Sequence, residues 1–200
     1  MIAGVLLAAG RSQRMGQPKL LLPWRGMPLI RYVVQQMLDT QLDELIVVIG
    51  HRADHVIAAL EGLAVRIVLN TDFLDGQSTS LRAGIAAVHS EASAVVVLLA
   101  DQPLLQPQTV DALIERYRQE QSLIIVPRCE GRRGNPVLFD RRLFPDLLAI
   151  TGDQGARNVI KVYEQQIDWL NTTDGGTLLD IDTPQMYEQL VERSEPDRHT

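Results

Sequence analysis

The chain has 200 residues, 46% apolar and 22% charged, with a formal net charge of −6. That length suits one generous domain burying about 70% of its unfolded surface, so the core needs no disulfide or structural metal. The composition excludes disordered, collagen-like and coiled-coil chains, and the acidic balance leaves no footprint for a nucleic-acid backbone. A small anion can still find a locally positive site. Cys129 is the only cysteine, which excludes an internal disulfide and a cysteine-rich zinc site. The apolar start, residues 1–7, is too short for a membrane span and lacks a basic leader. A cytoplasmic protein with neither membrane nor nucleic-acid partners is expected.

In chain order, residues 2–7, 45–49, 65–69, 94–99 and 123–126 are short Val-, Ile- and Leu-rich runs. They are continuous rather than alternating, which predicts strands buried on both faces. Between them, residues 29–38, 53–60, 78–88 and 110–117 carry helical periodicity, the last with Pro107 and Thr109 near its start. This alternation predicts an α/β fold with a mostly parallel sheet flanked by helices and joined by right-handed crossovers. After residue 127 the rhythm loosens. A polar loop at 128–134 precedes a strand at 136–139, helices at 141–148 and 156–163, a strand at 167–170, a helix at 184–191 and a frayed tail at 194–200. Ligands of open α/β sheets sit beyond the carboxyl ends of the strands, so the loops there are the places to look for chemistry.

The first strand runs into Leu7-Ala8-Ala9-Gly10-Arg11-Ser12-Gln13-Arg14-Met15-Gly16-Gln17-Pro18-Lys19-Leu20. Small residues at 8–10 let backbone N–H groups approach phosphate oxygens. Arg11, Arg14 and Lys19 place three positive charges within nine residues, and Lys19 is one of only two lysines, the other being Lys161. The P-loop and GxGxxG patterns are both missing. A solvated basic loop accounts for the composition equally well. The segment LAAGxSxRMGxxKLLL, however, is similar to the signature of nucleotidyltransferases that make nucleoside-diphosphate sugars and cofactor dinucleotides. It resembles most the MobA-like branch, close to the molybdenum cofactor cytidylyltransferases. The resemblance implies a Rossmann-like nucleotidyltransferase fold in which this loop wraps a nucleoside triphosphate. Arg14 and Lys19 would neutralise phosphates, Ala8, Ala9 and Gly10 would supply close backbone approach, and Leu7 and Lys19 would join them in binding the nucleotide.

Asn70 follows the third strand, and Gly76-Gln77-Ser78-Thr79-Ser80 opens the next helix. Ordinary helix capping explains the hydroxyls; the resemblance makes Asn70, Gln77 and Ser78 nucleotide contacts. Asp101 ends an apolar strand in the sequence LLADQP. A carboxylate emerging there either caps the next loop or holds Mg²⁺, a hard cation commonly bound by one or two carboxylates plus phosphates. The family match favours the metal, and DIDTPxxY near the end makes Asp182 the second metal ligand, with Asp180 a bystander. GRRGNP (131–136) and TGDQGAR (151–157) resemble acceptor-side motifs of the cytidylyltransferase branch, giving Arg132, Arg133, Asn135 and Arg157 as acceptor contacts, although two surface loops would look the same. His51 and His55, four apart, read as a solvated helix start.

The resemblance extends from Val5 to about Leu190. It implies one nucleotidyltransferase domain over 1–193, with a nucleotide-binding part about 1–127 and an acceptor-binding part about 128–193. The expected catalytic groups are Lys19, Arg14 and Asp101, with Mg²⁺ as cofactor. Ala9 stands where the guanylyl-transferring branch has a second glycine, and Pro18 where it has an acidic residue. CTP and molybdenum-loaded molybdopterin are therefore the expected substrates, with a molybdenum hydroxylase as a downstream partner. The alternatives are another nucleotide, a sugar or alcohol phosphate acceptor, or a delivery module that hands cofactor to the hydroxylase.

Overall fold

The structure is a computed structural model that describes residues 1–194; the rest of the expected tail lies outside the described residues. The elements in order are β1 (Ile2–Ala8), β2 (Pro23–Trp24), β3 (Met27–Pro28), α1 (Leu29–Leu38), β4 (Glu44–Ile49), α2 (Ala53–Ala59), β5 (Arg66–Leu69), α3 (Gln77–Ala87), β6 (Ala94–Leu99) and α4 (Pro107–Glu120). There follow β7 (Ile124–Cys129), β8 (Arg132–Arg133), β9 (Val137–Asp140), α5 (Phe144–Ala149), α6 (Arg157–Val162), β10 (Ile167–Thr172) and α7 (Pro184–Ser194). Single 3₁₀ turns fill several connections.

The main sheet has the order β10-β7-β9-β6-β1-β4-β5, with β8 pairing to the outer end of β7. β1 pairs in parallel with both β4 and β6, and β4 in parallel with β5. β9 runs antiparallel to β6 and to β7, while β10 is again parallel to β7. The sheet is mainly parallel and flanked by helices, as the strand–helix alternation predicts. The looser region after residue 127 is where the one reversed long strand enters.

Side-chain parity explains why the runs are apolar throughout. Leu6, Val47 and Leu98 belong to a core under α1 and α4, whereas Val5, Val48 and Val97 belong to one with Leu81, Leu147 and Ile160 of α3, α5 and α6. Both faces are covered, so both parities must be apolar. Each fully buried aliphatic side chain stabilises the fold by about 1.5–3 kcal/mol. α3 lies directly on the sheet: a Cβ on Gly84 would come within 2.4 Å of Val5 Cγ1. That close approach needs a glycine, because any side chain there would push the helix off β1.

The expectation of two-sided burial fails at β5. Ile67 is 36% and Leu69 57% exposed, because β5 has a neighbour on one side only. The hairpin β2–β3 has no counterpart among the predicted elements. Its two-residue turn puts Arg25 and Gly26 both at positive φ, the twist that tight hairpins require. The fourth helix also starts earlier and runs further than the periodicity predicts, from Pro107. Among the described residues, no helix is long and apolar enough to cross a membrane.

At the amino edge of the sheet, buried Asp140 accepts hydrogen bonds from Tyr117 Oη at 2.7 Å and from Arg142 N and Nε at 2.8 Å each. Burial pushes its carboxyl up, but the bonds from Arg142 and Tyr117 outweigh that and hold it below the usual value of 3.8. A depressed folded value means the stabilisation is present above the unfolded value and fades as pH falls through the folded one. Asp140→Asn is expected to lower stability by about 1–3 kcal/mol at pH 7. The gap should narrow below pH 3.8, as urea unfolding at the two pH values will show.

Candidate active site

The strand order turns at β1: the connection from β1 leads to β4 on one side, and β6 lies on the other. Such a switch point leaves a crevice beyond the carboxyl ends of the two strands. β1 ends at Ala8 and runs into Ala9, Gly10 and the loop to Lys19. β6 ends at Leu99, followed by Ala100, whose N–H donates to Leu7 O at 3.2 Å, and by Asp101. Ala8 and Ala9 are buried. Gly10 has no positive φ, and a Cβ there would meet nothing within 4 Å, so the fold does not itself demand glycine at that position. Open space above a small residue at a strand end is what a closely approaching ligand requires.

Three distant segments converge on Lys19. Its ammonium donates to Asp101 Oδ2 at 2.6 Å, Ile181 O at 2.8 Å and Asp182 Oδ1 at 3.2 Å. Arg14 Nη2 lies 2.9 Å from Asp182 Oδ2. The backbone sets this meeting: Ile181 N–H donates to Asp101 O at 2.9 Å, and the Ile181 side chain is fully buried in the core. The isoleucine between Asp180 and Asp182 thus anchors the late motif to β6. Asp180 faces Gln102, whose amide donates to it at 2.7 Å and to Thr177 O at 3.3 Å. Burial, with the Asp101 charge nearby, holds Asp180 above the ordinary carboxylate value despite the Gln102 bond. Among the described residues, no group of three or more His, Cys, Asp or Glu side chains is placed to bind a metal.

A cavity of about 310 Å³ opens near the carboxyl ends of the same two strands, β1 and β6. Leu7 and Leu99, register partners across β1 and β6, line it together with Leu81, Val97, Val137 and Phe139. Its polar lining includes Gln77, Arg133, Asn135, Gln154 and Arg157. Among the described residues, no carboxylate forms an ion pair with Arg133 or Arg157. Burial, and then the neighbouring Arg157 charge, lower the pKa of Arg133. Two guanidiniums facing one cavity without a counter-ion suit an anionic ligand. Three of the four residues that the acceptor motifs suggested meet here; exposed Arg132 does not line the cavity.

The nucleotide candidates divide. Gln77 opens onto the cavity, but the Ser78 side chain is buried. Asn70 is buried too, with Nδ2 donating to Thr79 Oγ1 and Ser80 Oγ at 2.9 Å each. Its amide braces the start of α3. That start has no cap of its own; Asp153 Oδ1 accepts from Gln77 N–H at 3.1 Å and Gly152 O from Ser78 N–H at 3.2 Å. The TGDQGAR loop therefore sits on the helix of the GQSTSL segment, a contact that spacing alone does not reveal. Two further residues, Gln102 and Ile181, escape the sequence reading. Gln102 is hidden because its neighbour Asp101 carries the motif. Ile181 acts through its backbone carbonyl. His51 donates its backbone N–H to Ala9 O at 3.3 Å and tilts against Phe73. Burial, then Arg52 and Arg11, hold its imidazole below the usual value.

Residues 4–169 match the MobA-like NTP transferase domain, so the chain belongs to the MobA-like NTP transferase family. It is 36% identical to nicotine blue oxidoreductase of Paenarthrobacter nicotinovorans over 94% of this chain and 96% of that one. It is 32% identical to the purine catabolism protein PucB of Bacillus subtilis, over 94% and 95%. A probable molybdenum cofactor guanylyltransferase of Thermococcus sibiricus is 30% identical over 62% of this chain and 60% of its own. Among solved structures, Rv0371c of Mycobacterium tuberculosis in complex with manganese has a TM-score of 0.82 at 32% identity, covering 96% of this chain and 98% of that one. A nucleotidyl transferase of Methanothermobacter has a TM-score of 0.81 at 27% identity, covering 97% of each. These likenesses establish a nucleotidyltransferase-family chain of Rossmann-like fold.

Gly76 has φ +107°, and a Cβ there would stand 2.6 Å from Gly152 O. Gly76→Ala is therefore expected to cost about 1–3 kcal/mol and to prise the 151–155 loop from α3. Urea unfolding and faster limited proteolysis within that loop will register both effects.

Proposed function

We propose that the chain is a nucleotidyltransferase that moves CMP from CTP to the phosphate of molybdenum-loaded molybdopterin, releasing pyrophosphate. The observation that carries this reading is that β1 and β6 lead both to the Lys19–Asp101–Asp182 cluster and, through Leu7 and Leu99, to a cavity with an apolar floor and two guanidiniums that have no ion-pair partner among the described residues. Residues 1–127 supply the nucleotide side and residues 128–193 the acceptor side. A flat heterocycle bearing a phosphate suits that cavity, with rings over Leu7, Leu99 and Phe139 and phosphate at Arg133 and Arg157. A sugar phosphate, polar on every face, would leave the floor unused. The choice of CTP rests on Ala9 and Pro18, which depart from the guanylyl pattern.

Two carboxylates of hard oxygen chemistry fit a divalent cation that takes its other ligands from phosphates and water. Asp101 and Asp182 would hold Mg²⁺, and a structural neighbour in complex with manganese is consistent with a divalent ion in proteins of this fold. Bound there, the metal would supply charge neutralisation to the phosphates. The chain's own residues do the rest. Backbone groups of Ala8 to Gly10 cradle the triphosphate, and Lys19 with Arg14 offsets charge that develops on the pyrophosphate. Arg133, Arg157 and Asn135 hold the acceptor phosphate so that one oxygen faces the α-phosphorus. That oxygen forms the new P–O bond, and the bond from the α-phosphorus to the bridging oxygen breaks, its electron pair leaving with pyrophosphate. An anionic phosphate monoester needs no general base.

One relative bears the name of an oxidoreductase. Hydride transfer gives no work to two aspartates around a lysine, whereas phosphate chemistry does. A delivery role for a molybdenum hydroxylase is compatible with the transferase activity and follows it.

The test is pyrophosphate release from CTP, GTP, ATP and UTP with Mg²⁺ and molybdenum-loaded molybdopterin. Release with CTP is expected. Preference for GTP would overturn the nucleotide assignment, and silence with all four would overturn the acceptor. Asp101→Asn should lower turnover about 100-fold or more; full activity in that variant would remove Asp101 from the metal site. Gly10→Ala is expected to leave stability within about 0.5 kcal/mol of the parent, because nothing in the fold contacts its Cβ position. It should nonetheless raise the KM for nucleotide about tenfold or more, the cost of about 1.4 kcal/mol of lost binding.

A further inference from the structure

Both cations that the proposed reaction assigns to the triphosphate are held here by the two carboxylates that it assigns to the metal. The Lys19 ammonium sits in a cage of three oxygens, from Asp101 at 2.6 Å, Ile181 at 2.8 Å and Asp182 at 3.2 Å. The lysine side chain is only 12% exposed, against 21% and 28% for the two aspartates. Arg14 takes the other oxygen of Asp182. A divalent ion binds carboxylate oxygens at about 2.0–2.6 Å, so metal and ammonium cannot both stand between Asp101 and Asp182.

We propose that Lys19 is the resident counter-ion of this site: its ammonium fills the place between Asp101 and Asp182 until nucleotide phosphates draw it away, and divalent metal enters with the nucleotide rather than before it. The inference rests on the nucleotidyltransferase reading and adds the order in which that site fills. The charges require it. Asp101 and Asp182 lie in a partly desolvated crevice with Asp180 close by on Gln102; Lys19 contacts both Asp101 and Asp182, and Arg14 contacts Asp182. Removing Lys19 alone would leave neighbouring like charges uncompensated. Adding metal alone would force a divalent ion against an ammonium. When both ligands arrive together, each charge finds a new partner: metal replaces ammonium at the carboxylates, and phosphate replaces carboxylate at the ammonium. Coupling of this kind is reciprocal, so nucleotide raises metal affinity by the factor that metal raises nucleotide affinity. The move needs no backbone change. The Lys19 N–H stays on Ser12 Oγ at 3.3 Å, and a four-carbon stem with freely rotating donors carries the charge across.

The experiment measures Mn²⁺ binding to the nucleotide-free protein, reading free Mn²⁺ by electron paramagnetic resonance. Wild type should bind Mn²⁺ weakly, and Lys19→Met, which keeps the stem without the charge, about tenfold or more tightly. Lys19→Arg, which keeps the charge, should stay weak. Lys19→Gln serves the same purpose as Lys19→Met if the methionine variant does not fold. The double variant Lys19→Met, Asp101→Asn should lose the gain. Uncharged variants that bind Mn²⁺ no tighter than wild type would overturn the proposal, as would a double variant that keeps the gain. Tighter binding in Lys19→Met alongside no pyrophosphate release from the wild type would refute the substrate assignment and leave the ion exchange standing.

Discussion

The Lys19 ammonium, shared between Asp101 and Asp182, is the interaction around which the site is arranged. It joins the loop after the first strand, the end of the central strand β6 and a segment near the end of the chain, which are 82 and 163 positions away from it. The hydrogen bond from Ile181 N–H to Asp101 O provides the rigid part of the junction, and burial of the Ile181 side chain holds it. Charge and packing divide the work. The isoleucine fixes the backbone, so the two flanking aspartates differ: Asp182 turns to the cations and Asp180 to Gln102.

A second pattern links the irregular later part of the chain to the regular earlier part. Neither α3 nor α4 has a side-chain cap from its own N-cap residue. Asp153 receives the first N–H of α3, and Asp174 Oδ2 accepts from Gln106 N–H at 3.0 Å and Thr109 Oγ1 at 2.7 Å at the start of α4. The orphan donors of both helices are thus met by carboxylates from the later, irregular part of the chain. The cavity lies where those two parts meet, so its walls and its supporting helix share the same contacts.

Much of the fold is legible in the chain because parity leaves a visible trace. Strands covered on both faces must be apolar at every buried position, and β1, β6 and β4 beyond Glu44 are. β5 looks the same in sequence and differs in exposure, because a strand's place at the edge of a sheet is set by the order of pairing. The hairpin β2–β3 offered only a Gly26 signal, too short a pattern to stand out from a loop. Asp101 was readable from its position at the end of an apolar run. Ser78 and Asn70 were readable as residues near a helix start but not as buried braces, since a hydroxyl or amide gives no sign of which way it turns.

The sequence by itself determined the strand–helix alternation, the basic loop after the first strand, the carboxylates at 101 and 182, and the likeness to the MobA-like transferases. These are properties of adjacent residues and of local periodicity. Only the tertiary structure decided which charges meet: that Lys19 bridges the two aspartates, that Arg133 and Arg157 share a cavity while Arg132 stays outside it, and that Asp153 caps α3. Each is a meeting of groups far apart in the chain, set by the order and direction of strands in one sheet, and residue spacing does not encode that order.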